Sequence, residues 1–398
     1  MTGRRYVQLV LVLGALIALG PLTIDMYLPA FPRIGEDLGV GDSGVQLTLT
    51  GMLLGLAVGQ LVIGPLSDAL GRRRPLVVGI GAHAATSLLC AVAPTIGVLA
   101  AVRVLQGFSG AAVTVVAMAI VRDLFEGVAV ARIMSRLMLV IGLAPILAPS
   151  LGGLILTVTS WRGIFVVLAG LAVLLSAVAA LGIRETLPVE RRRPATFRAT
   201  FSAYRSLLAD RVFVALAFVG GSMMAAIFAY VSGASFVLQD GFGLDTRSFG
   251  LVFGLNAAGL TLTSQLNPLL LRRFSVRQVL SGAIVAAMAS SAVLLLLGLT
   301  GVGGLVPVLV ALGFVVSTAG LALPNTPALA LTRHGEAAGT AAAVLGCVQF
   351  GIGGLVAPLV GVSGGTSAAP MGAVMLGVTS FSALLMFGVV HRERHRSH

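Results

Sequence analysis

The sequence predicts an all-α membrane protein of twelve transmembrane helices in two six-helix, pseudo-symmetric halves, with both termini cytoplasmic. Of 398 residues, 57% are hydrophobic and only 10% charged, with mean hydropathy +1.04, where a soluble domain carries roughly a quarter charged residues. Twelve apolar runs approach or exceed the roughly 20 residues that a helix needs to cross hydrocarbon. Arginine also falls almost wholly on one side of these runs, which fixes the orientation.

In the first half the runs cover 8–29, 45–67, 75–95, 97–121, 134–157 and 162–183. In the second they cover 211–236, 248–271, 277–299, 303–330, 338–361 and 369–391. The opening Arg4 and Arg5 followed by an apolar stretch could suggest a secretion signal, but the stretch continues to Pro29, too far for one. It reads as an uncleaved first span. The polar stretch between the sets, with Arg191, Arg192, Arg193 and Pro194, gives a first bundle over 1–184, a cytoplasmic linker over 185–210, and a second bundle with a short basic tail over 211–398. With the N-terminus inside, twenty-two arginines lie in inner segments, Arg33, Arg162 and Arg247 lie outside, and Arg103 lies within a span. This distribution accounts for the net charge of +12, so nucleic acid is not expected as a partner. The bilayer is.

Between the second and third runs, Gly64-Pro65-Leu66-Ser67-Asp68-Ala69-Leu70-Gly71-Arg72-Arg73-Arg74 reverses the chain where lipid meets water. An acid, two glycines and three arginines are more than a connector needs, and the segment reads as a hinge or latch. Asn267-Pro268-Leu269-Leu270-Leu271-Arg272-Arg273 holds the equivalent place in the second half without the acid or the glycines. Such a degenerate repeat is expected of transporters whose substrate site lies between the halves.

Charge inside a span is costly and points to function. Asp25 and Arg103 are the two clear cases, and with the first span ending near Pro29 they fall at similar depth, where a pair or a wet cavity would relieve both. Asp25 is the candidate proton carrier and Arg103 its electrostatic partner. The alternative is a permanent ion pair that only locks helices. Pro145 and Pro149 each remove a backbone donor from the fifth span, and Gly142, Gly152 and Gly153 beside them permit close packing. Tyr27, Gln106, Tyr230, Asn256 and Asn325 are candidates for a cavity wall, although helix–helix contact is the commoner role of such groups. His83 reads as a packed histidine. Cys90 and Cys347 lie in apolar runs and form no metal or disulfide pattern. The chain contains no lysine, hence no Walker lysine. No cofactor, metal or nucleophile constellation is expected, and the chain does not read as an enzyme.

The G-x-L-x-D-x-x-G-R-R pattern from Gly64 to Arg73 resembles the signature loop of the major facilitator superfamily. That resemblance implies secondary transport by two six-helix halves rocking about a mid-membrane cavity. It places Asp68 against the inner end of the eleventh span near Ala337, and Arg72 against an acid at the inner end of the fourth, where Asp123 stands. Leu22 to Pro32 is similar to the first-span signature of the Bcr/CflA drug-resistance branch. Leu99-x-x-x-Arg103-x-x-Gln106-Gly107-x-x-Gly110 resembles the fourth-span motif linked to proton coupling, with both glycines allowing close helix approach. Gly142-x-x-Pro145-x-x-x-Pro149-x-x-Gly152-Gly153, followed by Trp161 to Phe165, resembles the motif of drug:proton antiporters. The resemblance implies a monomeric, proton-coupled exporter of small amphipathic drugs, with protons and a small molecule as its partners. A sugar or metabolite transporter, or a non-transporting membrane sensor, is the alternative.

Overall fold

The computed structural model describes residues 3–125, 128–192, 197–332, 334, 338–362 and 367–391. Among them, twelve helices are long and apolar enough to cross a membrane, and no strand occurs. The first half comprises α1 (Gly3–Asp25), the short α2 (Phe31–Leu38), α3 (Asp42–Leu70), α4 (Arg73–Ala91), α5 (Ile96–Leu124), α6 (Val128–Ile155) and α7 (Trp161–Gly182). A linker helix, α8 (Phe197–Ala209), leads to the second half. That half comprises α9 (Arg211–Ser235), α10 (Thr246–Leu270), α11 (Val276–Thr300), α12 (Leu305–Leu331), α13 (Ala338–Val356) and α14 (Ala369–Leu385).

Two features depart from the sequence expectation. The first span does not end near Pro29: it breaks after Asp25 and continues through a 3-10 turn (Leu28–Ala30) and α2 to Leu38. The linker is not merely a polar tether, because it contains α8, which packs on α9 and α13.

Within the first half α3 crosses α5 at backbone distance. A Cβ on Gly55 would overlap the Val104 carbonyl, and one on Gly107 would overlap the Met52 carbonyl. Small residues let transmembrane helices approach in this way. Gly110 differs from expectation: a Cβ there would find its nearest neighbours at 3.8 Å, an ordinary contact.

The halves meet along two seams, α3 against α13 and α6 against α10. The described hydrogen bonds between them run from the middle of the bundle to the face opposite the Arg72–Arg74 loop. Several use carbonyls that proline has deprived of a helix donor. Pro358 cannot donate to the Gly354 carbonyl, which accepts Thr50 Oγ1 at 2.8 Å. Pro32 cannot donate to the Leu28 carbonyl, which accepts Ser235 Oγ at 2.8 Å beside a 3-10 bond from Phe31. Gln46 completes this closure, donating to the Ser232 carbonyl at 3.2 Å and accepting from Gly361 N–H at 3.0 Å. At the arginine-rich end Asp68 keeps 48% of its side chain exposed. The molecule is therefore closed at the arginine-poor face.

Gly107→Val should force two backbones apart and destabilise the protein by about 3 kcal/mol, the upper end for overpacking. Gly110→Ala should be nearly neutral. Thermal unfolding of the two purified variants in detergent distinguishes them.

Candidate functional site

The site begins at the break in α1. Met26 N–H still bonds the Leu22 carbonyl at 3.0 Å, but the chain then turns, and Ala30 N–H bonds Tyr27 instead. Pro29 and Pro32 stand at the starts of the 3-10 turn and of α2, where a missing N–H costs little. The break leaves the Thr23 carbonyl without a described backbone donor. Arg103 of α5 fills the gap, its two Nη atoms reaching that oxygen at 3.2 and 3.3 Å.

Arg103 is fully buried. It donates to Gln106 Oε1 at 2.6 Å and lies 4.2 Å above the Tyr27 ring. Behind it Gln106 donates to Ser87 Oγ at 2.8 Å. His83 Nε2 lies 3.1 Å from Thr23 Oγ1. The guanidinium is thus desolvated but held by acceptors and an aromatic face.

The expected Asp25–Arg103 ion pair does not form. Asp25 is 5% exposed, and among the described residues its carboxyl has no hydrogen-bond or ion-pair partner. The reason is that Asp25 stands at the break and Arg103 is committed to the Thr23 carbonyl, two residues before it. The nearby second-half group is Tyr230, within electrostatic reach of Asp25.

The expected cavity wall is also revised. Tyr27, Gln106, Tyr230, Asn256 and Asn325 are 0, 0, 1, 6 and 1% exposed, packed inside the helices. Tyr27 and Gln106 belong to the Arg103 network. Asn256 donates to Tyr230 Oη at 3.0 Å, and Tyr230 stacks on Phe253. Asn325 exchanges amide bonds with Asn267 at 2.7 and 3.4 Å, joining α12 to α10.

The signature loop closes as a charge cluster. Arg72 bonds Asp68 at 2.5 Å, Asp123 at 2.8 Å and Ser67 Oγ at 2.8 Å. The expected Arg72–Asp123 contact is present. Asp68 meets Arg72, while its expected neighbour Ala337 lies outside the described residues. Gly71 turns the chain at φ +89°, and a Cβ there would overlap the Glu185 carboxylate. Gly64 lies in α3 with open space around it, so no close contact demands glycine there.

Glu185 was not singled out from the sequence. It accepts Arg72 N–H at 2.8 Å and Arg73 N–H at 3.3 Å, capping α4. Partial burial opposes its charge, but the N–H groups of Arg72, Leu187, Arg73 and Thr186 outweigh that and hold its carboxyl below the usual range. Thr186 Oγ1 also bonds Asp123 at 3.1 Å. The start of the linker is therefore part of the charge cluster around Arg72. Its one sequence signal was an acid immediately following Arg184.

The fifth-span motif connects the α1 break to the second half. Pro145 and Pro149 lie inside α6. A Cβ on Gly152 would overlap the Met26 carbonyl, one residue after Asp25. A Cβ on Gly153 would come within 3.1 Å of the Thr246 carbonyl at the start of α10, and one on Gly142 within 2.8 Å of Thr261. Thr261 Oγ1 donates to the Gly142 carbonyl at 3.2 Å.

The sequence profile described as Major Facilitator Superfamily matches residues 13–358. An uncharacterized MFS-type transporter, YdgK of Bacillus subtilis, is 41% identical over 91% of this chain and 90% of its own. A bicyclomycin resistance protein homolog of Haemophilus influenzae is 32% identical over 88% of each chain. A multidrug resistance protein, MdtL of Klebsiella pneumoniae, is 30% identical over 84% of this chain and 83% of its own. Among solved structures, a bacterial homolog of the human lysosomal transporter Spinster, in an inward-facing and unoccupied conformation, superposes with TM-score 0.75 over 97% of both chains at 14% identity.

Two measurements test this geometry. Glu185→Gln should lose about 1 kcal/mol of stability at neutral pH, the scale of one net hydrogen bond. Because the folded carboxyl titrates below its unfolded value of about 4.3, that stabilisation is present above this pH and lost as pH falls through the lower folded value. Melting curves of both proteins should therefore converge in acid. Gly152→Val should displace the Met26 carbonyl and abolish function while Gly170→Val, with nothing within 4 Å, does not; growth under drug challenge at matched expression reads this out.

Proposed function

The chain belongs to the major facilitator superfamily, and from that premise we propose that it is a proton-coupled exporter of small amphipathic drugs of the Bcr/CflA type in the cell membrane. The observation that carries this is the buried carboxyl of Asp25. It stands without a cation at a break in the first span, and the antiporter-motif residue Gly152 packs against that break. The resistance proteins among its relatives support the choice of cargo.

An unpaired carboxylate in a dry site is costly, by several kcal/mol after relaxation. A bound proton removes that charge. The cost vanishes when the halves open and water reaches the group. Proton occupancy of Asp25 and the open or closed state of the bundle are then linked, since each favours the other's partner state. With the arginine-rich face cytoplasmic, the present closure is the inward-facing one. A proton taken up from outside is then released inside, and the return of the carrier exports the drug. The Asp68–Arg72–Asp123 cluster, tied to the linker by Glu185, serves as the latch on the inner side.

The test is an efflux panel that includes bicyclomycin, in a host stripped of its own pumps, with dye accumulation in everted vesicles under an imposed proton gradient. The wild type should protect the host and concentrate dye. Asp25→Asn, expressed to the same level, should lose gradient-driven accumulation and the pH dependence of exchange. Full transport by Asp25→Asn with unchanged pH dependence would remove Asp25 from coupling.

A further inference from the structure

His83 belongs to no motif of the chain, yet it is fully buried against the coupling residues. Its Nε2 lies 3.1 Å from Thr23 Oγ1, and its Nδ1 lies 3.4 Å from the Gln106 carbonyl. Thr23 is therefore gripped twice, at its carbonyl by Arg103 of α5 and at its hydroxyl by His83 of α4. Both grips share Gln106, whose Oε1 accepts from Arg103 and whose backbone oxygen faces His83. Thr23 is two residues before Asp25.

The hydrogens can be counted. Thr23 has one hydroxyl proton, and its short 2.7 Å bond to the Leu19 carbonyl uses it. The hydroxyl oxygen must then accept from His83, which puts a proton on Nε2. The Gln106 carbonyl already accepts Ser109 Oγ at 2.8 Å and needs nothing from Nδ1, in keeping with the longer contact there. The groups around the ring agree with an uncharged imidazole. Arg103 on α5 bonds the Gln106 side chain whose backbone oxygen the ring faces, Cys90 lies on the same helix, Asp25 lies two residues beyond Thr23 on α1, and no charged group of α3 or α7 bonds the ring among the described residues.

We propose that His83 is a positioning residue of the coupling site: as the neutral Nε2–H tautomer it holds the Thr23 hydroxyl and, with Arg103 on the Thr23 carbonyl, fixes the break that presents Asp25. This rests on the coupling role of Asp25. Without the His83 bond, Arg103 is the one described side chain of another helix still hydrogen-bonded to Thr23, and the guanidinium is free to move toward the carboxylate it now bypasses.

Two arms test this on the purified full-length protein. In proteoliposomes with ethidium as probe, Thr23→Val and His83→Leu should each move the midpoint of the transport pH profile toward acid by about half a unit to one unit, the loss of one hydrogen bond expressed in protons. His83→Gln, which can place an N–H near Nε2, should restore the wild-type midpoint. A wild-type midpoint in Thr23→Val overturns the proposal, and that variant decides if His83→Leu does not fold. The second arm uses nitrogen-15 NMR of histidine-labelled protein, with His83 identified by the signal lost in His83→Gln. An Nε2–H tautomer unchanged between about pH 5.5 and 8, the range in which free imidazole titrates, supports the assignment. An Nδ1–H tautomer, or a ring titrating in that range, overturns it. The NMR arm needs no transported compound, so failure of the wild type to move ethidium would count against the export reading and leave this proposal to the NMR result.

Discussion

A guanidinium bonded to a carbonyl that has lost its helix donor is the contact on which the site is built. A helix break in the membrane leaves peptide groups that neither water nor the next turn satisfies. A buried guanidinium needs acceptors as badly. The Thr23 carbonyl gains its donors and the two Nη atoms of Arg103 an acceptor, the Tyr27 face takes part of the remaining charge, and Nε alone of that guanidinium has no partner among the described residues. The consequence falls on Asp25. Had Arg103 paired with the carboxylate, the two charges would have cancelled in every state and the pair would have been a strut. Held on the carbonyl instead, Arg103 leaves the acid in the cluster without a partner.

The same economy runs through the Arg72 cluster. Arg72 satisfies Asp68, Asp123 and Ser67 while its own backbone N–H caps onto Glu185. Burial of Arg72 opposes its charge, but the two carboxylates outweigh that and raise its affinity for the proton. All these groups belong to the first half or to the chain leaving it. In a molecule closed at the opposite face, the cluster is thus complete without the second half, and Asp68 keeps an exposed side. Arg73 extends the cluster to the end of α7, donating to the Ala180 carbonyl at 2.6 Å and the Ile183 carbonyl at 3.1 Å.

Much of this was legible in the residues. Twelve spans follow from hydropathy, and the Arg72–Asp123 contact is the one that the resemblance of the Gly64–Arg73 loop to the superfamily signature implied. The length of the first span was not legible, because Arg33, Glu36 and Asp37 look like the end of an apolar run. Two of these have partners from far along the chain: Asp37 accepts from Trp161 Nε1 at 3.0 Å and from Arg162, and Arg33 donates to the Leu156 carbonyl at 3.2 Å. Local hydropathy cannot register a bond made from another helix. Nor could it show that Arg103 would be taken by the Thr23 carbonyl rather than by Asp25. The asparagines failed similarly. An amide in a span signals a need for a partner, and only the register of α10 against α12 shows that Asn325 already has one in Asn267.

What closes the arginine-poor face bears on how the protein can move. Thr50 and Ser235 take the carbonyls that Pro358 and Pro32 leave without helix donors, and the linker does the same at the other end, where Tyr204 Oη donates at 2.9 Å to the Leu61 carbonyl, freed by Pro65. A carbonyl paired within its own helix has less to offer a neighbour, whereas one freed by proline can bind a hydroxyl across the seam or, when the seam parts, water. Exchanging one for the other is worth only about 1 kcal/mol net for each bond. A gate assembled from such exchanges opens at little cost so long as water can follow. The apolar contacts of the same seam, Phe31 against Phe236 at 5.7 Å among them, are costlier to part, at roughly 25 cal/mol for every Å² wetted. Pro32 of α2, Pro65 of α3 and Pro358 in the 3-10 turn that follows α13, which at first sight only interrupt helices, free the carbonyls that the polar part of the seam uses.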